Sequence, residues 1–174
     1  MSQPILTTTI EPASDVVAGS IGTWTLRFQA GEEGLPGNST IRVGTDTDTD
    51  WGVPQFDDPG AAEYATVTAP GGVDVAARTV GVKGFQLEIG PSGLPGGGEI
   101  SVVLGDTSGG GPGSRAQTFR EQRRVFSVTI DHGQGVESIE ESPELRIVGG
   151  EPVRLIVVVP SELPVGEPFR VLVK

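Results

Sequence analysis

Thr23-Trp-Thr-Leu-Arg-Phe-Gln-Ala30, followed at once by Gly31-Glu-Glu-Gly-Leu-Pro-Gly37, decides the fold class of this chain. Trp24, Leu26, Phe28 and Ala30 alternate with Thr23, Thr25, Arg27 and Gln29, a period of two. Successive side chains of a strand point to opposite faces, so this segment is a strand with one buried and one wetter face. The Gly-Leu-Pro-Gly that follows is turn chemistry: glycine supplies a positive φ, and proline presets φ at the first central position.

The same alternation recurs outward in both directions. Phe85, Leu87 and Ile89 alternate with Gln86 and Glu88, and Phe126, Val128 and Ile130 with Val125, Ser127 and Thr129. Further strands are expected near Ile5–Ile10, Ser39–Val43, Tyr64–Thr68, Val73–Ala77, Glu99–Leu104 and Glu144–Val148. Between them lie Ala69-Pro-Gly-Gly72, Gly93-Leu-Pro-Gly-Gly-Gly98 and Gly109-Gly-Gly-Pro-Gly113. No segment carries a helical stripe, and Ser114–Arg124 holds at most one helical turn. About ten short strands at this spacing predict an all-β, antiparallel β-sandwich, Ig-like or a distorted barrel.

The 27 glycines and 14 prolines fall between alternating segments without a fixed period, which reads as many tight turns in a folded protein and not as low complexity. At 174 residues the chain is long enough for one main core, assigned to residues 1–150. The stretch 151–174 reads as a linker, Gly149-Gly-Glu-Pro152, then strands near Val153–Val159 and Phe169–Val173 around a Pro160–Glu167 turn. A lone hairpin is marginal in water. Either it joins the main sheets or it opens a second, truncated Ig-like domain; the linker favours the second.

A formal net charge of -11 repels phosphate backbones, so nucleic acid is not an expected partner. The one basic group, Arg120, Arg123 and Arg124, reads as solvated strand-edge charge. The longest apolar run, Leu155–Val159, is too short to span a bilayer, and no membrane partner is expected. The N-terminus lacks the charged-then-apolar pattern of a secretory signal, which makes the cytoplasm the expected compartment.

The densest polar segment is Gly44-Thr-Asp-Thr-Asp-Thr-Asp-Trp51. On an extended backbone Asp46, Asp48 and Asp50 share one face, where like charges repel and a hard cation such as calcium would relieve them. Asp57 and Asp58 lie close by. The spacing lacks the central glycine and distal glutamate of a helix–loop–helix calcium loop. The competing reading, that these aspartates cap turns, is the stronger, with Arg115 pairing one of the 46–50 carboxylates and fixing both loops. Trp51 is either a platform for a sugar or partner or a plug under the loop, and the plug is favoured.

The glycine-rich segment Leu104–Arg115 has no lysine and so no phosphate-loop pattern; a wide, flexible connection is expected. Catalytic groups are scarce. There is no cysteine and one histidine, His132; a triad with Ser108 or Ser114 has no Gly-x-Ser-x-Gly elbow to support it. No catalytic or cofactor-binding residue is therefore assigned, no cofactor is expected beyond a possible calcium, and the chain by itself is not expected to be an enzyme.

Taken together, Gly22-Thr-Trp-Thr-Leu-Arg-Phe28, Arg42–Trp51, Pro54-Gln-Phe-Asp-Asp-Pro59 and Leu104–Arg115 resemble the N-terminal region of the domain-of-unknown-function 3604 family of large bacterial proteins. The resemblance implies a β-rich front portion that precedes an Ig-like segment and a C-terminal half similar to metal-dependent PHP-type hydrolases. Pro160-Ser-Glu-Leu-Pro-Val-Gly-Glu-Pro-Phe-Arg-Val171 looks like the start of that Ig-like segment. No metal ligand of the hydrolase half has a counterpart here. The expected role is thus a non-catalytic accessory module that meets a partner domain or subunit, or self-associates through the C-terminal hairpin. The alternative is a calcium- or carbohydrate-binding module using the Asp46–Asp58 loop and Trp51.

Overall fold

A computed structural model of the chain describes residues 5–45, 48–154, 156–162, 165, 166 and 168–173. It is an all-β sandwich. One sheet runs in the order β1 (Leu6–Glu11), β4 (Trp24–Ala30), β9 (Glu99–Leu104), β6 (Ala65–Thr68). The other runs β13 (Val136–Ser138), β12 (Ser127–Asp131), β5 (Thr40–Gly44), β8 (Gly84–Ile89), β7 (Val75–Val80). All pairings within both sheets are antiparallel, and neither sheet closes on itself, so the barrel alternative falls away.

The decisive strand behaves as its pattern requires. Trp24, Leu26, Phe28 and Ala30 are buried, and the intervening residues face outward. Across the sandwich Ile41, Phe85, Leu87, Val128 and Ile130 complete one continuous core. Each such side chain contributes about 1.5–3 kcal/mol on burial. On the outer face Arg27 bridges strands: it bonds Glu99 at 2.7 Å and Glu11 at 3.3 Å. Glu99 is the main reason its pKa lies above the ordinary arginine value.

The two Gly-Leu-Pro-Gly segments do more than turn the chain. The first carries β4 across to β5, and the second returns β8 to β9. They meet in a reciprocal pair: Leu35 N–H donates to Leu94 O at 2.8 Å, and Leu94 N–H to Leu35 O at 2.9 Å. Exchanging the two arches maps β4·β9 onto β8·β5, a pseudo-twofold relation. Gly34 and Gly93 have φ of 76° and 72°, and a Cβ on either would run into the carbonyl of the opposite leucine. Here glycine is demanded by conformation and by close approach together.

One strand expectation in the main sheets needs correction. The strand expected over Val125–Ile130 is two strands. Val125 ends β11 (Glu121–Val125), which pairs with β14 (Glu144–Val148), whereas Ser127 begins β12 beside β5. The chain changes sheets at Phe126, whose N–H donates to Pro143 O. Such corners let one strand serve two sheets, and the period-two burial runs through the corner unbroken. No helical turn forms over 114–124, where β10 (Ser114–Arg115) pairs with β3 (Ile21–Gly22) ahead of β11. β14 also pairs, in parallel, with β2 (Val16–Val17).

The tail strands are shorter than expected: β15 (Val157–Val158) and β16 (Leu172–Val173) form an antiparallel two-stranded pair of their own.

Candidate functional site

Two long stretches, 48–64 ahead of β6 and 105–120 between β9 and β11, meet at one end of the sandwich. Asp50 ties them together. Its carboxylate accepts the Thr118 backbone N–H at 2.8 Å and the Thr118 hydroxyl at 2.7 Å. Arg115 stands 3.7 Å from the same carboxylate and donates to Asp50 O at 3.4 Å. The Thr118 hydroxyl, then its N–H, holds the Asp50 carboxyl below the ordinary carboxylate pKa, and Arg115 adds to the effect. The expected pairing of Arg115 with an aspartate of this run is present, and its partner is Asp50.

Beneath Asp50 the polar groups are sealed in. The buried Thr49 hydroxyl donates to Gln117 Oε1 at 2.8 Å and accepts the Trp51 N–H. Gln117, itself fully buried, donates to Glu121 at 2.8 Å, and Glu121 accepts two bonds from Arg124. Arg124 is 2% exposed, which corrects its reading as solvated edge charge. Buried polar groups persist where such networks engage them, because an unmade bond there is costly.

Trp51 is 3% exposed. Its ring is edge-on to Trp24 at 4.9 Å and to Phe126 at 5.3 Å. It is the plug under the loop, and its burial removes it as a stacking platform for a sugar or partner. Its indole N–H is buried without a hydrogen-bond partner among the described residues.

Asp58, Asp106 and Glu63 are engaged in the turns and joints of the region. Gln55 Oε1 accepts the N–H of Asp57 and of Asp58, both at 2.9 Å, and Asp58 Oδ1 accepts the Gly60 N–H at 3.0 Å. Asp106 accepts the Thr66 hydroxyl at 2.7 Å and the Ser108 N–H at 2.8 Å; Thr66 chiefly lowers its pKa. Glu63, with φ of 66°, accepts the Ser114 hydroxyl and, at 3.0 Å, the Arg115 N–H. Glu63, Gln117 and Thr118 are the joints of this end. No local pattern marks them, because each acts on a partner more than fifty residues away or sits beside one that does.

The glycine-rich segment is not a wide, flexible connection. A Cβ on Gly109 would strike Pro59, and one on Gly111 would strike the Ala61 carbonyl. Glycine serves close packing of two loops here.

The aspartates expected to hold calcium are only partly described. Asp46 lies outside the described residues, Asp48 is exposed, and both Asp50 oxygens are engaged by Thr118. Among the described residues, no three His, Cys, Asp or Glu side chains group as metal ligands would. His132 contacts Glu137 at 3.3 Å, and Ser114 donates to Glu63 and not to an imidazole, so the triad is not assembled. Among the described residues no helix is long and apolar enough to cross a membrane.

Compared with known proteins, the chain matches no family model and no curated protein.

Proposed function

We infer that the chain is a non-catalytic accessory β-sandwich that associates with a partner domain, a subunit or a second copy of itself through its C-terminal hairpin. One observation carries this reading. Val157 and Val158 are adjacent on β15 and therefore point to opposite faces, yet they are 54% and 50% exposed. Ile156, Val159, Phe169 and Val171 are exposed beside them. A two-stranded ribbon with apolar side chains uncovered on both faces is marginal alone and gains by being covered.

The resemblance to the front region of the domain-of-unknown-function 3604 family supports the fuller version. In it, this sandwich stands ahead of a metal-dependent hydrolase half, in a cytoplasmic protein, and the hairpin belongs to the junction. The engagement of Ser114, Asp50 and Glu63 in structural bonds supports the non-catalytic role.

In the isolated chain, with no partner present, two hairpins are expected to cover one another. Deleting residues 152–174 should leave the melting transition of the sandwich in place and convert a dimer or larger assembly to monomer, read by size exclusion with light scattering. An assembly state unchanged by the deletion refutes the reading.

A further inference from the structure

The outer face of the five-stranded sheet carries a transverse polar groove, on a different surface from the loop end. Cross-strand register sets Val136, Asp131, Thr40, Glu88 and Ala76 in one row over β13, β12, β5, β8 and β7. Residues paired across antiparallel strands share a face, so this row is continuous. Two hollows follow it. One, of about 300 Å³, is bordered by Asn38, Thr40, Asp74, Ala76 and Glu88. The other, of about 70 Å³, is bordered by Thr40, Arg42, Thr129, Asp131 and Val136. Thr40 is their common wall. Four inter-strand gaps give the row a length of about 19 Å.

The next row fixes one bank of the groove. Arg42 donates to Gln86 Oε1 at 2.7 Å, Gln86 donates to Glu88 at 2.8 Å, and Arg78 donates to Glu88 at 3.1 Å. Gln86, only 3% exposed, lies beneath this relay and holds its members in place. The groove's own polar groups are used differently from those at the loop end. Among the described residues, the side chains of Asn38, Thr40, Asp74 and Thr129 make no hydrogen bond within the chain. Uncommitted donors and acceptors around a concave surface are what a polar ligand site offers.

We propose that this groove binds a neutral, polyhydroxylated ligand, an oligosaccharide strand lying across the five-stranded sheet. The side chains select that class. An anionic ligand would meet the carboxylates of Asp74, Glu88 and Asp131, and a cationic one would meet Arg42 at the second hollow, with Arg78 paired to Glu88 on the bank. Hydroxyl and amide groups, which donate and accept, suit vicinal diols between these charges. No aromatic ring borders either hollow, so stacking adds nothing and affinity is of about millimolar order.

The test is an amide NMR titration of the full ¹⁵N-labelled chain with cellohexaose, hexagalacturonate and hexalysine, each at low and high salt. Saturable shifts with cellohexaose, centred on Thr40, Arg42, Thr129 and Asp131 and equal at both salt levels, are expected. Thr129→Ala should weaken them about fivefold while the remaining spectrum reports an intact fold. No shift with cellohexaose, shifts centred elsewhere, or salt-sensitive binding of hexalysine or hexagalacturonate alone overturns the proposal.

Discussion

Asp50 grips Thr118 with both carboxylate oxygens, one on the backbone N–H at 2.8 Å and one on the hydroxyl at 2.7 Å. The bond joins two loops that the chain separates by 68 positions. It also makes Asp50 a structural element, since charge-assisted bonds to a threonine of the other loop fix its carboxylate.

The pH dependence follows from that bond. Asp50 and Asp106 both titrate below the ordinary carboxylate value in the folded chain, Asp50 chiefly through Thr118 and Asp106 chiefly through Thr66. A lowered folded pKa favours folding wherever the carboxylate is ionised. The contribution is complete above the unfolded value of about 4 and is lost as pH falls through the folded one. Asp50→Ala should therefore cost about 1 kcal/mol at neutral pH, a figure reduced for its partial exposure, and much less in acid. Urea unfolding of both proteins at neutral and strongly acidic pH measures the difference.

At the paired arches, Gly34→Ala and Gly93→Ala each impose a positive φ on a side chain and drive a Cβ into the facing leucine carbonyl. Each should cost about 2 kcal/mol or more, the sum of backbone strain and overpacking. Gly71→Ala, where a Cβ meets nothing within 4 Å, is the matched control and should lie within about 0.5 kcal/mol of the parent. Thermal melting of the three variants decides the matter.

Trp51→Ala removes the plug that Trp24 and Phe126 enclose, and a loss of about 3–5 kcal/mol is expected from denaturant unfolding. Trp51→Phe should cost much less, because it keeps an aromatic edge contact and removes an indole N–H that is buried without a partner. Equal losses in the two variants would contradict the packing account.

Calcium at millimolar concentration should leave the melting midpoint where a chelator leaves it. A site filled far above its Kd would raise the midpoint in proportion to RT ln(1 + [L]/Kd). With Asp50 held by Thr118 and Asp48 in solvent, no such rise is expected.

The fold class was legible because its signal is local. Alternation in 24–30, 85–89 and 99–104 reports which face of each strand is wet, whatever the strand later pairs with. The corner at Phe126 was not legible, because alternation continues through a change of sheet. Nor was the role of Gly109 and Gly111, since a glycine that permits close approach and one that permits bending look alike in sequence.

The candidate site divides the same way. That Arg115 would pair with the aspartate run follows from opposite charge in two loops flanking strands; that Asp50 is the partner required the register of β3 with β10 and the placement of Thr118. By itself the sequence determined an acidic, all-β chain with one histidine, no cysteine and strands of known inner faces. Only the tertiary structure decided that Trp51 is buried, that Glu63 and Gln117 are joints, and that Asp131, Thr40 and Glu88 form one row across the outer face. The reason is range. Alternation is dictated within a few residues by the geometry of the extended chain, whereas burial of a loop side chain and cross-strand adjacency depend on partners tens of residues away.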